Sequence, residues 1–154
     1  MNADPALLVE IEEVEGYRLR MYRDSIGLPT IGVGHKLTQS ELTSGKLDST
    51  AASWTEGLTE AEVSKLLGSD LATTEAVVNS VVTVPLTQTQ FNALVSFAFN
   101  VGSGAFARST LVKLLNAGDY ASVPTQLRRW VYAAGQRSQI LANRREKEIA
   151  LWNA

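Results

Sequence analysis

Residues Glu15 to His35 read EGYRLRMYRDSIGLPTIGVGH, and this stretch decides the fold. Leu19 and Met21 alternate with Arg18 and Arg20, the period-two pattern of a short strand beginning near Tyr17. Asp24-Ser25-Ile26-Gly27 has the composition of a turn, and Thr30 to Val33 reads as the strand that returns. The result is a β hairpin with a carboxylate, Glu15, just before it, a second carboxylate, Asp24, at its turn, and a hydroxyl, Thr30, on its far arm.

Outward from the hairpin the pattern becomes helical. Asp4-Pro5 is a helix start, Asp as cap and Pro at the first helical position. Leu7, Leu8, Ile11 and Val14 then form one apolar face, and Gly16 stops the helix with Glu15 in its last turn. After a polar connection from Thr38 to Gly57, with room for a short helix, Thr59 and Glu62 make a capping box for a long helix over about 60–82, stopped ahead of Pro85. A second box, Thr87 with Gln90, opens an apolar helix carrying Phe91, Leu94, Val95 and Ala98 that ends near Gly102 and Gly104. Shorter helices are expected over Ser109–Asn116, Tyr120–Tyr132 and Arg137–Trp152. The reading is an α+β fold, mostly α, in a single domain spanning 1–154. It has a small β-containing lobe over about 15–58, a connecting helix over about 59–82, and a helical lobe made of about 83–154 together with the N-terminal helix 4–15.

Composition narrows the chemistry. The chain has 154 residues, enough for one well-buried core, with 45% hydrophobic and 19% charged side chains, as soluble globular domains have. With no cysteine and one histidine, thiolate metal sites, cysteine nucleophiles and multi-histidine zinc sites are excluded, so no metal is expected. Residues 1–107 carry 6 Lys/Arg against 13 Asp/Glu, and residues 108–154 carry 8 against 3. That basic segment suits an anionic polymer or the acidic N-terminal segment. A pI near 5.4 and the lack of any nucleic-acid motif argue against nucleic acid as the partner. No apolar run approaches the ~20 residues that span a bilayer. The acid-rich start, MNADPALLVEIEEVEG, is not expected to act as a secretory signal.

Each candidate residue has a plainer alternative. Glu15, in a last helical turn, faces the negative end of the helix dipole, which favours the protonated form that a glycosidase needs to protonate a leaving oxygen. It could equally be one more surface acid beside Glu10, Glu12 and Glu13. Turn aspartates such as Asp24 usually bond their own backbone, and a strand threonine such as Thr30 usually serves β-propensity. Together, an acid, a base and a water-holding hydroxyl make an inverting glycosidase, whose carboxyl groups stand far enough apart to admit a water. Gly32-Val33-Gly34 fails as a phosphate loop, because Leu37 stands where a third glycine is required and no helix opens there. Strand glycines more often permit close approach of a ligand or backbone, which makes Gly34 a candidate substrate contact. His35 reads as a hydrogen-bonded structural residue, with Asp70 as its expected partner.

This block resembles the active-site block of the phage-type lysozymes, the endolysin family (glycoside hydrolase family 24) that includes T-even phage lysozyme. The segments QFNALVSFAFNVGSGAFARSTLVKLLNAGDY, RRW and LANRREKEIALW resemble its later parts, so the likeness covers nearly the whole chain. It implies a lysozyme-like fold and a muramidase that hydrolyses the β-1,4 bond between N-acetylmuramic acid and N-acetylglucosamine in peptidoglycan glycan strands, without a cofactor. It implies Glu15 as general acid, Asp24 as the carboxylate that positions or activates water, Thr30 as the hydroxyl that helps hold it, and a structural His35. Asn100 falls where some members carry a substrate-contacting Gln, and Arg144 matches an arginine that pairs with the catalytic Glu, with Arg145 one register away. The segment 135–140 departs from many endolysins. The resemblance further implies a monomer, without stable membrane insertion, that accumulates in the host cytoplasm before acting on the wall. The alternatives are a bacteriocin or effector toxin built on the same catalytic lobe, and a non-catalytic wall-binding module, which would be expected to lose Glu15 or Asp24.

Overall fold

The computed structural model describes residues 1–154 and shows an α+β protein, mostly α. The chain divides into two compact units, one of residues 5–72 and one of residues 1–4 with 73–154.

In the first unit, helix α1 (Pro5–Glu15) buries Leu7 and Ile11 while Val9 and Val14 stay exposed, so its core face is narrower than the sequence spacing suggests. Gly16, at φ +67°, ends it in a left-handed conformation that a side chain would strain, and its amide bonds the Glu12 carbonyl. Strands β1 (Arg18–Arg23), β2 (Pro29–Gly32) and β3 (His35–Lys36) form an antiparallel sheet in that order. Tyr22 pairs with Thr30 and Thr30 with Lys36, and the register slips between Arg18 and Tyr22. Ile31 and Val33 are buried, and Gly32 lies against Val63 and Leu66, where a Cβ would stand 3.5 Å from Leu66.

The connection expected over Thr38 to Gly57 holds a short helix, α2 (Gln39–Ser44), with a capping box of Thr38 and Glu41. Leu37, Leu47, Trp54 and Leu58 are buried in this region, and the Trp54 indole donates to the Glu41 carbonyl. Helix α3 (Glu60–Val81) begins with the expected Thr59–Glu62 box, each bonding the other's amide. The division between units falls inside α3. The sequence pattern assigns residues 4–15 to the helical lobe, whereas α1 falls in the unit that holds the sheet. Leu8 lies against Gly68 of α3, and the Ser64 hydroxyl reaches the Glu12 carboxylate at 3.5 Å.

In the second unit, α4 (Gln88–Val101) starts at the Thr87–Gln90 box and is buried at Phe91, Ala93, Leu94, Val95, Phe97 and Ala98, the nearly all-round burial of a core helix. Phe97 meets Phe106 and Trp130 edge-on, at centroid distances of 6.1 and 5.4 Å. Around it lie α5 (Ser103–Ala107), α6 (Thr110–Asn116), α7 (Val123–Arg128) and α8 (Gln139–Asn153). The single helix expected over Tyr120–Tyr132 is instead a 3₁₀ turn at Tyr120–Ser122 followed by α7, with Pro124 in its first turn. Beyond it, β4 (Tyr132–Ala133) pairs with β5 (Gln136–Arg137) across Ala134 and Gly135, both at positive φ, the conformation of a tight hairpin turn. That hairpin delays α8 to Gln139, capped by Ser138. No helix is long and apolar enough to cross a membrane.

Candidate active site

Glu15, the last residue of α1, is half-buried and lines a depression of about 270 Å³ with Gly16, Tyr17, Arg18, Tyr22 and Gly32. The wall is built from the helix end and two strands. The Tyr17 hydroxyl donates to Glu60 at 2.9 Å, and the Arg18 guanidinium lies 4.6 Å from the centre of the Tyr22 ring.

Asp24 sits at the hairpin turn with both carboxylate oxygens engaged. Oδ1 accepts the amides of Ile26 (3.0 Å) and Leu28 (2.8 Å), so the plain reading of a turn aspartate holds for that oxygen. Oδ2 takes the Lys36 ammonium at 2.7 Å. The Lys36 hydrogen bond, then the Leu28 and Ile26 amides, hold the Asp24 carboxyl below the usual carboxylate range, against a smaller upward push from burial. Thr30 is fully buried and donates its hydroxyl proton to the Leu28 carbonyl at 2.9 Å. Lys36 reaches Thr30 Oγ1 at 3.4 Å, a long contact. The structure therefore brings Asp24 and Thr30 together through Lys36 and through the two ends of Leu28.

Gly34 is exposed at the β2–β3 turn with φ +65°, and no atom lies within 4 Å of where a Cβ would stand. Backbone conformation rather than crowding therefore calls for glycine there. Asn100, in the second unit, lines a depression of about 350 Å³ with Val101, Arg129, Trp130, Tyr132, Leu141 and Arg145, and its Oδ1 accepts from Arg145 at 2.6 Å. Arg144 is half-buried on α8, where its charge favours ionisation of Glu148.

His35 stands between two carboxylates. Nδ1 is 2.8 Å from Asp70, the expected partner, and Nε2 is 2.9 Å from the buried Glu41, whose Thr38–Glu41 spacing signals a helix cap but not a histidine partner. Burial works to lower the His35 pKa, but Asp70 and then Glu41 raise it from 6.5 to about 9. A raised histidine stabilises the fold fully below its unfolded pKa, and that contribution is lost as pH rises through the folded one. The link is therefore present at pH 6 and lost by pH 10. The shift corresponds to roughly 3 kcal/mol, reduced to about 2 kcal/mol because the ring is partly solvated. Urea denaturation is expected to show this loss in the parent and not in His35→Gln; equal losses in both would remove His35 as the source.

Lys36 also escapes a reading of the sequence. Its signal is its place opposite Thr30, visible only once residues 35–36 are recognised as a third strand. The helix-end acid, the turn aspartate and the buried threonine all fall in the unit of residues 5–72, and the likeness to known proteins shows a glycoside hydrolase of the lysozyme class. Residues 12–148 match the family described as Phage lysozyme, and the chain belongs to that family. It is 44% identical over 132 residues to the SAR-endolysin of Escherichia phage Mu, covering 86% of this chain and 70% of the relative. Against the endolysin of Salmonella phage P22 identity is 39% over 145 residues, covering 94% and 93%. Among solved structures, a P22 lysozyme mutant superposes with TM-score 0.76 at 37% identity, over 100% of this chain and 99% of the other. The muramidase domain of SpmX from Asticaccaulis excentricus gives 0.79 at 29% identity, over 99% and 98%.

Proposed function

We propose that this enzyme is a peptidoglycan muramidase of the endolysin type, cutting the β-1,4 bond between N-acetylmuramic acid and N-acetylglucosamine with inversion and lysing the bacterial wall. The observation that carries the mechanism is the Asp24–Thr30 pair. It sets an ionised carboxylate beside a hydroxyl that can only accept, because its own proton is committed to Leu28. A water donating one hydrogen to each would turn its lone pairs outward, toward an anomeric carbon.

In the reaction Glu15 gives its proton to the leaving glycosidic oxygen as the C1–O bond breaks. The water oxygen bonds to C1, and Asp24 takes the water's proton. Both carboxyl groups return to their starting states by proton exchange with solvent. Gly34, Asn100 and Arg144 are proposed as substrate contacts. The names of the relatives, endolysin and muramidase, support the wall polymer as substrate and host lysis as the role.

Digestion of purified peptidoglycan is expected to release reducing ends ahead of free amines; the reverse order would mark an amidase or peptidase and overturn the reading. The stereochemistry is a sharper test. Inverting enzymes hold their carboxyl groups ~6.5–9.5 Å apart to admit a water, whereas retaining ones sit at ~5–5.5 Å. NMR of freshly formed product is expected to show the α-anomer from this β-linked substrate. An initial β-anomer would recast Asp24 as a nucleophile.

A further inference from the structure

We infer that Lys36 is a positioning residue for the reaction, fixing the Asp24 carboxylate against Thr30 so that the two together hold the attacking water. The inference rests on the roles given to Asp24 and Thr30 above.

The argument is one of lone pairs. An ionised carboxylate has about four acceptor sites and a hydroxyl oxygen two. Ile26 and Leu28 occupy Asp24 Oδ1, at 3.0 and 2.8 Å, which leaves Oδ2 as the oxygen able to act on water. Lys36 Nζ takes one site on Oδ2 at 2.7 Å and approaches one on Thr30 Oγ1 at 3.4 Å. By this count each oxygen keeps one acceptor site for the proposed water. The ammonium thus bridges the two oxygens without using up their remaining capacity, and sets the directions in which that capacity points.

The sheet explains why this lysine can do so. Lys36 lies directly across from Thr30 in the β2–β3 register, so the two side chains share a face. Its neighbour His35 points the other way, to Asp70 and Glu41. Arg23, the charged residue next to Asp24 on β1, turns to the Gly27 carbonyl at 2.9 Å, and Lys36 is the cation seated on the carboxylate. The lysine side chain is 51% exposed, so its removal opens no core cavity. Without it, the carboxylate keeps its two amide bonds at Oδ1 but Oδ2 loses its one fixed partner, and the ionised form loses its main source of stabilisation.

The test compares kcat, KM and the pH dependence of kcat on soluble glycan strands prepared from peptidoglycan, for the parent, Lys36→Met, Lys36→Gln, Lys36→Arg and Asp24→Asn, with a thermal melt of each. Lys36→Met is expected to lose about tenfold in kcat, a fraction of the ~10²-fold that a 1 Å misplacement costs, with KM within about twofold. Its acidic limb is expected to move to higher pH, because Asp24 protonates more readily without the cation. Lys36→Gln is expected to show the same limb, Lys36→Arg to restore most of the rate and the limb, and all three to melt near the parent.

Parental kcat and an unmoved acidic limb in Lys36→Met, alongside an inactive Asp24→Asn, would overturn the inference and leave the proposed mechanism standing. A faster Lys36→Met would overturn it too, since the ammonium would then be blocking the water. A change confined to KM would make Lys36 a substrate contact instead. Parental activity in Asp24→Asn would remove the Asp24 assignment itself, and the inference with it.

Discussion

Glu15→Gln is expected to lower turnover on peptidoglycan by about 10²–10⁴-fold while leaving the fold intact, the range general acid catalysis supplies. Gln has nearly the shape of Glu but no proton to give to a leaving sugar oxygen. Glu15 closes α1 and lines the depression made with Gly16, Arg18, Tyr22 and Gly32, so the amide can occupy the same place. A negative charge at a helix C-terminus is not placed for stability, because it faces the negative end of the dipole. The melting temperature of the variant is therefore expected to equal or exceed the parent's, as when a residue kept for function is neutralised. Rates of reducing-end release and thermal melts on the same preparations make the test. A Gln variant at near-parental rate would take Glu15 out of the mechanism.

The elements legible in the sequence are those whose signals are local. α1, α3 and α4 announce themselves by apolar spacing between a cap and a stop, and the two capping boxes, Thr59–Glu62 and Thr87–Gln90, form as their spacing requires. The turn at Asp24–Gly27 is fixed by residues within reach of one another, its Gly27 amide bonding the Asp24 carbonyl. The elements that escape are short. β3, β4 and β5 have two residues each and α5 five, lengths at which no periodicity can be read. The 120–132 segment shows the cost of reading apolar spacing past a proline: Pro124 suits the start of a helix, and a new one begins there.

The same division runs through the site. Glu15, Asp24 and Thr30 lie within sixteen positions and are joined by one hairpin, so their types and order are readable together. Lys36 belongs to a strand whose pairing the sequence does not announce. Arg145 is hidden for a different reason. An Arg with a Glu three positions on looks like an exposed helical ion pair, and only the packing of α8 on α4 reveals that both are buried.

That buried pair carries the second large effect: Arg145→Met is expected to destabilise the protein by about 3–5 kcal/mol, whereas Arg145→Met with Glu148→Leu is expected to recover most of that loss. Both side chains are 1% exposed, with Arg145 Nε 2.8 Å from Glu148 Oε2 and Nη2 3.1 Å from Oε1. The guanidinium also bonds Asn100 Oδ1 at 2.6 Å and the Trp130 carbonyl at 3.3 Å, and lies 5.0 Å from the Phe97 ring centre. Burial pushes the Glu148 pKa up to about 7, against the charge of Arg145 and the Ser96 hydrogen bond, so desolvation already outweighs attraction here. A carboxyl raised in the folded state contributes stability at low pH that is lost as pH rises from its unfolded value through about 7. Removing Arg145 leaves that carboxyl buried without the cation paired to it, with only the charge of Arg144 remaining, and raises its pKa further. The penalty of the single variant is therefore expected to grow between pH 5 and pH 8. Replacing Glu148 as well removes the charge that has to be desolvated, which is why the double variant recovers and its pH dependence flattens. Urea denaturation of the parent, both single variants and the double at these two pH values closes the cycle. Additive penalties, with no recovery in the double variant, would mean that the two side chains stabilise the fold separately through Asn100, Trp130 and Ser96 rather than through each other.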